Sequence, residues 1–325
     1  MVCIGAARLP SEHSTPVALP TATANTIYQW WWSMLWQRYY RPESISEALE
    51  VLSSEHGRAR LVAGATDLVI QLRRGELQTD ALVDVTRIRS LQFVRRNGAK
   101  IEIGALVTHA EVARSELVNE RAPVLCEACF QVGSPQIRNV GTVVGNVVSA
   151  EPAGDSIIAL LALDARLTIV GPGYEKQMPV VQACLAPGRS IIDPTREMVT
   201  HLEFELPLAS YGSAYERLAQ RHSLALPIMA VGAFVVLDLE SRCFESARIG
   251  IGPVAPVPFR ATAAEDLLRG AAVEIPLICE AACLAGRDAA PRGSVRGDAA
   301  YRKQMVQVLV RRALVRAVKR AGGHV

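Results

Sequence analysis

Residues 134–146 read Ser-Pro-Gln-Ile-Arg-Asn-Val-Gly-Thr-Val-Val-Gly-Asn, a glycine-containing stretch on which the interpretation of the whole chain depends. Within it, Gly141 and Gly145 lie on either side of Thr142, and Asn146 ends the stretch with an amide. A dinucleotide carries a pyrophosphate that backbone N–H groups bind, and the backbone approaches it closely only where side chains are small. Residues 141–146, here called the second loop, therefore suit a dinucleotide-binding turn.

A similar loop lies earlier in the chain, where residues 63–68 read Ala-Gly-Ala-Thr-Asp-Leu. This first loop directly follows a predicted strand over 59–62, its first three residues are small, and Thr66 supplies a hydroxyl. Neither loop is a Rossmann G-x-G-x-x-G motif or a phosphate-binding P-loop. A glycine turn between a strand and a helix is usually only a turn, so each loop alone is a weak signal.

Around the two loops, short strands and helices are intermixed without regular βαβ periodicity, which predicts an α+β fold. Ser44 with Glu47, and Thr108 with Glu111, form capping-box patterns at predicted helix starts. We predict strands over 59–62, 81–85, 101–105, 166–170, 230–239 and 247–251. We predict helices after Ser44, over 108–117 and 124–131, up to residue 163, and over 262–268, 276–285 and 298–318. Residues 207–212 are the predicted hinge between two domains.

Composition places the chain among ordinary globular proteins. Of its residues, 50% are hydrophobic and 21% are charged. Its length of 325 residues is enough for about two domains. The formal net charge is +3 with Lys and Arg spread along the chain, so a nucleic-acid partner is not expected. No segment reaches the ~18 apolar residues of a membrane span. The seven cysteines, an odd number without a clear secretory signal, predict reduced thiols and a cytoplasmic location.

Residues 1–33 stand apart from the folded pattern, which begins near Gln37. The Pro/Thr/Ala-rich run over 14–26 is typical of unstructured chain, and a tryptophan-rich segment follows it. We interpret residues 1–33 as a disordered or mis-annotated N-terminal extension. The alternative is a mobile arm whose tryptophans dock on a partner. The predicted domains are 34–210 and 211–325.

Taken in order, these motifs resemble those of the FAD-binding medium subunits of the xanthine dehydrogenase and carbon monoxide dehydrogenase family of molybdenum hydroxylases. The first loop is similar to the family's Ala-Gly-Gly-Thr-Asp-Leu, and residues 137–146 to its Ile-Arg-Asn-x-Gly-Thr-x-Gly-Gly-Asn. Residues 151–155 are similar to its Ser-Pro-Ala-x-Asp. The resemblance extends from Gln37 to Val318 and includes Arg217, Arg221, 252–261, Tyr301-Arg302 and 311–314.

The resemblance implies a two-lobed α+β FAD-binding module of the vanillyl-alcohol-oxidase (PCMH) type, with FAD between the lobes, and a smaller α+β C-terminal domain. It implies that two backbone segments hold the pyrophosphate and flank the ribityl chain. The residues of these segments are Leu61, Val62, Ala63, Gly64, Ala65, Thr66, Asp67 and Leu68, and Gly141, Thr142, Val143, Val144, Gly145 and Asn146. No catalytic residue and no metal ligand is assigned to this chain.

Four further side chains acquire expected roles from the resemblance. Asp155 is expected to hydrogen-bond the ribose end of FAD, although it could instead cap a helix. Leu202, or His201 beside it, falls where the family packs a residue on the adenine, although a lone histidine on a strand is usually structural. Arg217 stands where many relatives carry a lysine near the flavin, and the alternative is an ordinary surface arginine.

Two residues depart from the family's pattern. Ala65 replaces the second glycine of the first loop, and Val144 replaces the first glycine of the Gly-Gly pair in the second loop. Each adds a Cβ beside the expected pyrophosphate, and valine also disfavours positive φ. We therefore expect either weaker FAD binding or a loop that turns Val144 outward. FAD is still expected because the rest of both motifs matches.

The function implied is electron transfer. Electrons would leave a molybdenum cofactor in a large subunit, cross two 2Fe–2S clusters in a small subunit, reduce this FAD and pass to an external acceptor, in a dimer of heterotrimers. The substrate pocket would lie on another chain, so this sequence does not choose among carbon monoxide, purines, other N-heterocycles and aldehydes as substrates of the complex. One alternative is a free-standing flavin oxidoreductase, which needs a base near the flavin; His109 is expected to be exposed instead. Another is a scaffold subunit without cofactor.

Overall fold

A computed structural model describes residues 35–221, 224–293 and 297–324, so the predicted extension over 1–33 lies outside the described residues. The strands of the described chain are β1 (Arg38–Tyr40), β2 (Ala59–Val62), β3 (Ala81–Asp84), β4 (Val94–Asn97), β5 (Lys100–Gly104), β6 (Arg166–Gly171), β7 (Tyr174–Pro179), β8 (Cys184–Ala186), β9 (Arg189–Ser190), β10 (Met198–Glu205), β11 (Ser210–Leu218), β12 (Met229–Asp238), β13 (Cys243–Gly252) and β14 (Phe259–Arg260). The helices are α1 (Ile45–Ser54), α2 (Leu68–Arg73), α3 (His109–Arg114), α4 (Glu116–Arg121), α5 (Pro123–Gln131), α6 (Pro135–Arg138), α7 (Val143–Ser149), α8 (Asp155–Ala162), α9 (Thr262–Leu268), α10 (Ile275–Asp288) and α11 (Ala299–Arg320). This mixture confirms the predicted α+β class.

The first lobe is built on a parallel three-stranded sheet in the order β1-β3-β2. Helix α1 buries Ala48 and Leu52 in the core. It begins where the hydroxyl of Ser44 accepts a hydrogen bond from the backbone N–H of Glu47 at 3.2 Å. The Glu47 carboxylate accepts from the backbone of Glu43 at 2.9 Å rather than from Ser44, so this N-terminus has half of the predicted capping box.

The second lobe contains a five-stranded sheet in the order β4-β5-β10-β6-β7, with β10 antiparallel to both of its neighbours. The capping box of Thr108 and Glu111 is complete and starts α3. The prediction of a single helix over 108–117 is wrong, because the helical conformation is interrupted at Ser115. That residue is extended, and its hydroxyl accepts from the backbone of Val118 at 3.3 Å, which starts α4 as a separate helix.

The C-terminal part is an antiparallel sheet in the order β11-β12-β13-β14, packed with α9, α10 and α11 around a separate hydrophobic core. The longest of these helices, α11, starts where the Asp298 carboxylate accepts from the backbone of Tyr301 at 2.7 Å. Its residues Leu309 and Leu314 are buried in that core. Among the described helices, none combines the length and apolar character needed to cross a bilayer.

The connection between the two parts is shorter than predicted. Strand β11 begins at Ser210, so the second half of the predicted hinge over 207–212 belongs to a sheet. A Cβ on Gly212 would overlap the backbone of α11, which shows how closely this strand packs against the helix. Glu127 on α5 also pairs with Arg316 on α11 at 2.7 Å. Residues 210–212 are therefore held in place rather than free to act as a hinge.

Candidate functional site

A cleft with a volume of about 920 Å³ lies where the two glycine loops meet. Its lining includes the whole first loop with Leu61 and Val62 before it, and four residues of the second loop, Gly141, Thr142, Gly145 and Asn146. Small-molecule sites in proteins usually have volumes of roughly 300–1,000 Å³, so this cleft is at the large end. The structure thus brings the two predicted segments to one site.

Gly64 sets the distance between the loops. A Cβ at this position would overlap the carbonyl oxygen of Val140 and lie 2.9 Å from the Cα of Gly141. The backbone φ of Gly64 is not in the left-handed region, so its conformation alone does not require glycine. What requires glycine is the close approach of the two loop backbones.

In the first loop, Ala65 has a left-handed backbone conformation with a φ of +57°. Left-handed backbone costs an L-residue with a Cβ roughly 1–2 kcal/mol, and glycine avoids this cost. The loop is tied to the end of α7, because the hydroxyl of Ser149 donates to the Asp67 carboxylate at 3.0 Å. Ala65 therefore occupies a position that suits glycine, and it faces the cleft.

The second loop ends in the first turn of α7. The hydroxyl of Thr142 caps this helix by accepting a hydrogen bond from the backbone of Gly145 at 2.9 Å. Val143 and Val144 lie in the helix with their side chains in the hydrophobic core; Val144 is 5% exposed. Of the two outcomes expected for Val144, the structure has the one in which its side chain points away from the cleft.

Asp155 is the first residue of α8 and lies buried in the wall of the cleft. Its carboxylate does not cap the helix. One carboxylate oxygen, Oδ1, accepts hydrogen bonds from the Tyr215 hydroxyl at 2.6 Å and from Nε of Arg217 at 2.9 Å. Burial raises the pKa of Asp155, and the positive charge of Arg217 opposes that rise. The capping alternative for Asp155 is therefore wrong.

Arg217 is not the surface arginine that was the alternative for this position. Its side chain is 8% exposed and forms an ion pair with Asp155. It also donates to the carbonyl oxygen of Ala225, which lines the cleft next to Leu224 and Leu226. Arg217 itself is outside the lining, so in this structure it positions Asp155 and the segment around Ala225.

The two residues expected at the adenine lie on β10. Leu202 is fully buried in the hydrophobic core. The His201 ring is 6.2 Å from that of Phe93, and its Nδ1 is 3.0 Å from the Thr200 hydroxyl. Neither belongs to the cleft lining found in the described part of the chain. Their contact with the adenine stays a prediction.

His109 is a lining residue that the sequence did not assign, and the expectation that it is exposed is wrong. The residue is 2% exposed, because α3 packs on α5 and Gly141 of the second loop lies beside the ring. Its backbone N–H donates to the carbonyl of Gly141 at 3.0 Å. Burial, with a contribution from the charge of Arg138, lowers the pKa of His109 to about 4. A position directly after a capping threonine gave no sign of this burial.

Residues 188–194 also line the cleft and were missed. They include β9 and lie next to the first lobe, where the backbone of Leu61 donates to the carbonyl of Pro194 at 2.9 Å. The hairpin of β8 and β9 is irregular and short. The segment carries no motif, so only the tertiary fold reveals its place at the site.

Two family models match the chain. One, described as the FAD binding domain in molybdopterin dehydrogenase, matches residues 34–208, and the other, described as the CO dehydrogenase flavoprotein C-terminal domain, matches residues 213–317. The chain belongs to the FAD-binding medium subunits of the xanthine dehydrogenase and carbon monoxide dehydrogenase family. This confirms the predicted family, the FAD-binding domain and the assignment as an oxidoreductase component.

Individual relatives agree with the family models. The chain is 31% identical to the 6-hydroxypseudooxynicotine dehydrogenase complex subunit alpha of Paenarthrobacter nicotinovorans, over 87% of this chain and 95% of the relative. It is 30% identical to the carbon monoxide dehydrogenase medium chain of Afipia carboxidovorans, over 87% of this chain and 97% of the relative. A solved structure of carbon monoxide dehydrogenase from Hydrogenophaga pseudoflava superposes with a TM-score of 0.82 at 28% identity, covering 87% of this chain and 97% of that one.

The cleft of this medium subunit fits FAD. Its volume is sufficient for an elongated dinucleotide, and it is lined by two loops whose small residues expose backbone. The absence of a Cβ at Gly141 leaves a space bounded by the carbonyl oxygen of Ile137, the Thr66 hydroxyl and the His109 ring. Since Val144 points into the core, it does not reduce this space.

Proposed function

We propose that FAD lies in this cleft with its pyrophosphate at the junction of the two loops, and that the chain is the electron-transfer subunit of a molybdenum dehydrogenase. It would take electrons from 2Fe–2S clusters on a small subunit and pass them to an external acceptor. The observation that carries the proposal is the contact between the loops, where Gly64 and Gly141 bring both backbones to one side of a large cleft.

In this proposal the FAD supplies the redox chemistry, and the chain binds and orients it. The backbone at the loop junction holds the pyrophosphate. Asp155, fixed by Tyr215 and Arg217, presents its carboxylate at the cleft wall to a cofactor hydroxyl. Residues 188–194 and Ala225 line other sides of the cleft.

The free-standing oxidoreductase alternative would use a base beside the flavin. His109, the residue considered for that role, has a pKa of about 4, so it is a weak base at neutral pH. No property of the described cleft favours substrate chemistry on this chain over electron transfer. The scaffold alternative without cofactor rested on crowding by Ala65 and Val144, and Val144 lies in the core.

The partners in this proposal are a small iron–sulfur subunit and a large molybdenum subunit, assembled as a dimer of heterotrimers in the cytoplasm. The relatives' names support assembly, since one is the subunit alpha of a dehydrogenase complex and another is a medium chain. We propose the domain limits 34–210 and 211–325. They are compatible with family matches ending at 208 and starting at 213.

Replacement of Gly141 by alanine tests the electron-transfer proposal without knowledge of the substrate. The added Cβ would lie 3.1 Å from the Ile137 carbonyl oxygen and 3.5 Å from the Thr66 hydroxyl, inside the proposed pyrophosphate space. The purified complex is reduced with dithionite and mixed with a soluble quinone, and reoxidation of the clusters is followed by stopped-flow absorbance. Gly141→Ala should contain less FAD and reoxidise its clusters more slowly, and excess FAD should restore the rate.

The matched control is Gly293→Ala, because a Cβ at Gly293 meets no atom within 4 Å. This variant should keep its FAD and its rate of cluster reoxidation. If the FAD-depleted Gly141→Ala complex reoxidises its clusters as fast as the wild type, electrons do not leave through this cofactor. The electron-transfer proposal would then be wrong.

A further inference from the structure

His109 is a buried polar side chain in the wall of the cleft with no role in the function described above. It is the first residue of α3 and is 2% exposed. The ring atom Nδ1 is buried and has no hydrogen-bond partner among the described residues. Because a buried polar atom without a partner is unfavourable, an imidazole at this position needs an explanation other than stability.

The orientation of the ring places its other nitrogen at the loop junction. A Cβ on Gly141 would lie 3.6 Å from Cδ2 of His109 and 3.5 Å from the Thr66 hydroxyl. Nε2 is bonded directly to Cδ2, whereas Nδ1 is on the opposite edge of the ring. The edge that carries Nε2 therefore faces the space that Gly141 leaves open, and the Thr66 hydroxyl borders the same space.

The surroundings also fix the protonation of this ring. Burial and the neighbouring charge of Arg138 lower the pKa of His109 to about 4, so the imidazole is neutral at physiological pH. A neutral imidazole carries one proton, on either nitrogen. Within the described part of the chain, Nδ1 has no acceptor to which it could donate. A bare lone pair at Nδ1 is less unfavourable there than an unpaired N–H, which places the proton on Nε2, next to Gly141.

We infer that His109 is an FAD-binding residue: its Nε2–H donates a hydrogen bond to a pyrophosphate oxygen at the loop junction, in the space that the Thr66 hydroxyl also borders. The inference rests on the proposed position of FAD in this cleft. A neutral donor suits this position because it binds the oxyanion without bringing a second positive charge close to Arg138. The site then contains donors from three segments, the first loop, the second loop and α3.

Two substitutions separate this role from a structural one. His109→Gln places an amide N–H near the position of Nε2, so the donor is retained. His109→Leu keeps a similar apolar volume and removes both nitrogens. FAD is stripped from the purified complex, and its dissociation constant is measured by fluorescence during re-titration. The thermal unfolding midpoint of the FAD-free complex and the ³¹P spectrum of bound FAD are recorded for each variant.

The FAD dissociation constant of His109→Leu should rise roughly ten- to hundredfold, the range for a lost hydrogen bond to a charged group, and His109→Gln should stay close to wild type. Without FAD, His109→Leu should unfold at the wild-type temperature or above, since an unpaired buried nitrogen is removed. The ³¹P resonances should shift in His109→Leu and not in His109→Gln.

Unchanged FAD affinity in His109→Leu would overturn the inference. So would a loss of affinity that is matched in both variants by a lower unfolding midpoint without FAD, because His109 would then be structural. An affinity loss with unshifted ³¹P resonances would overturn the pyrophosphate as its partner. A wild-type complex that binds no FAD on re-titration would instead contradict the proposed function, and the two failures are thus distinguishable.

Discussion

The first and second loops both replace a family glycine with a larger residue, but the structure gives the two replacements different consequences. Ala65 of the first loop lines the cleft and has a φ of +57°, a conformation that favours glycine. Val144 of the second loop lies in the first turn of α7 and is buried in the core. The effect of losing a glycine therefore depends on the local φ and on where the new side chain points.

The comparison extends to the glycines that both loops retain. Gly64 is needed for close approach, since its Cβ would overlap the carbonyl oxygen of Val140 and crowd Gly141. Gly141 keeps space free, since its Cβ would enter the cleft. Gly145 lies in α7, where a Cβ would come within 2.7 Å of the hydroxyl that caps the helix, that of Thr142. The three glycines of the two loops are thus required for three separate reasons: contact between the loops, space for a ligand and a helix cap.

Gly64→Ala should have the largest effect of the substitutions in the two loops. Its methyl would overlap the carbonyl oxygen of Val140, and backbone cannot rotate away as a side chain can. We expect a loss of about 3 kcal/mol in the free energy of unfolding, at the upper end of the usual range for overpacking, together with nearly complete loss of FAD. Chemical denaturation and the flavin content of the purified complex measure the two effects.

The glycine-to-alanine control for this experiment is again Gly293, which has open space around it. If Gly64→Ala retained both its stability and its FAD, the two loops would not be in contact as described. The junction would then have to be looser than the structure indicates.

Val144→Gly should have the second largest effect, and on stability rather than on cofactor binding. The substitution removes a buried side chain and places glycine in a helix, which together cost about 2–3 kcal/mol. The FAD dissociation constant of the folded protein should be unchanged, because the valine side chain does not line the cleft. Of the two outcomes expected from the motif, weaker FAD binding or a Val144 that turns outward, this prediction follows from the second.

Val148→Gly is the matched control in the same helix. Val148 lines the cleft and is partly buried, so its replacement should lower stability less and FAD affinity more than Val144→Gly does. If Val144→Gly instead bound FAD more tightly at unchanged stability, the assignment of its side chain to the core would be wrong.

Much of this architecture is predictable from sequence, because the decisive signals are local. The strand β2 and the complete capping box of Thr108 each follow from a few adjacent residues. The order of the motifs then indicates the family. The class of cofactor and the two loops that meet at the cleft are accessible in this way.

The features of the site that the sequence did not reveal depend on contacts between residues that are distant in sequence. The burial of His109 comes from α5 and the second loop, and the burial of Arg217 comes from Asp155, which lies 62 residues earlier. The direction of the Val144 side chain depends on the core behind α7. A motif gives the residue types of a site, but it does not say which side of the backbone faces the ligand.

Ala65→Gly should have the smallest effect and the opposite sign. Glycine relieves the left-handed backbone at this position, while it adds conformational freedom to the unfolded chain, so we expect a net gain of no more than about 1 kcal/mol in the free energy of unfolding. FAD should bind slightly more tightly, because a methyl group leaves the cleft wall. Ala63→Gly is the control in the same loop: Ala63 also lines the cleft but its φ is not positive, so glycine there should destabilise by about 0.5–1 kcal/mol. Denaturant titration of the two FAD-free variants compares them directly. Opposite signs would assign the strain to φ at Ala65, whereas equal destabilisation would mean that the first loop accommodates its alanine as easily as α7 accommodates Val144.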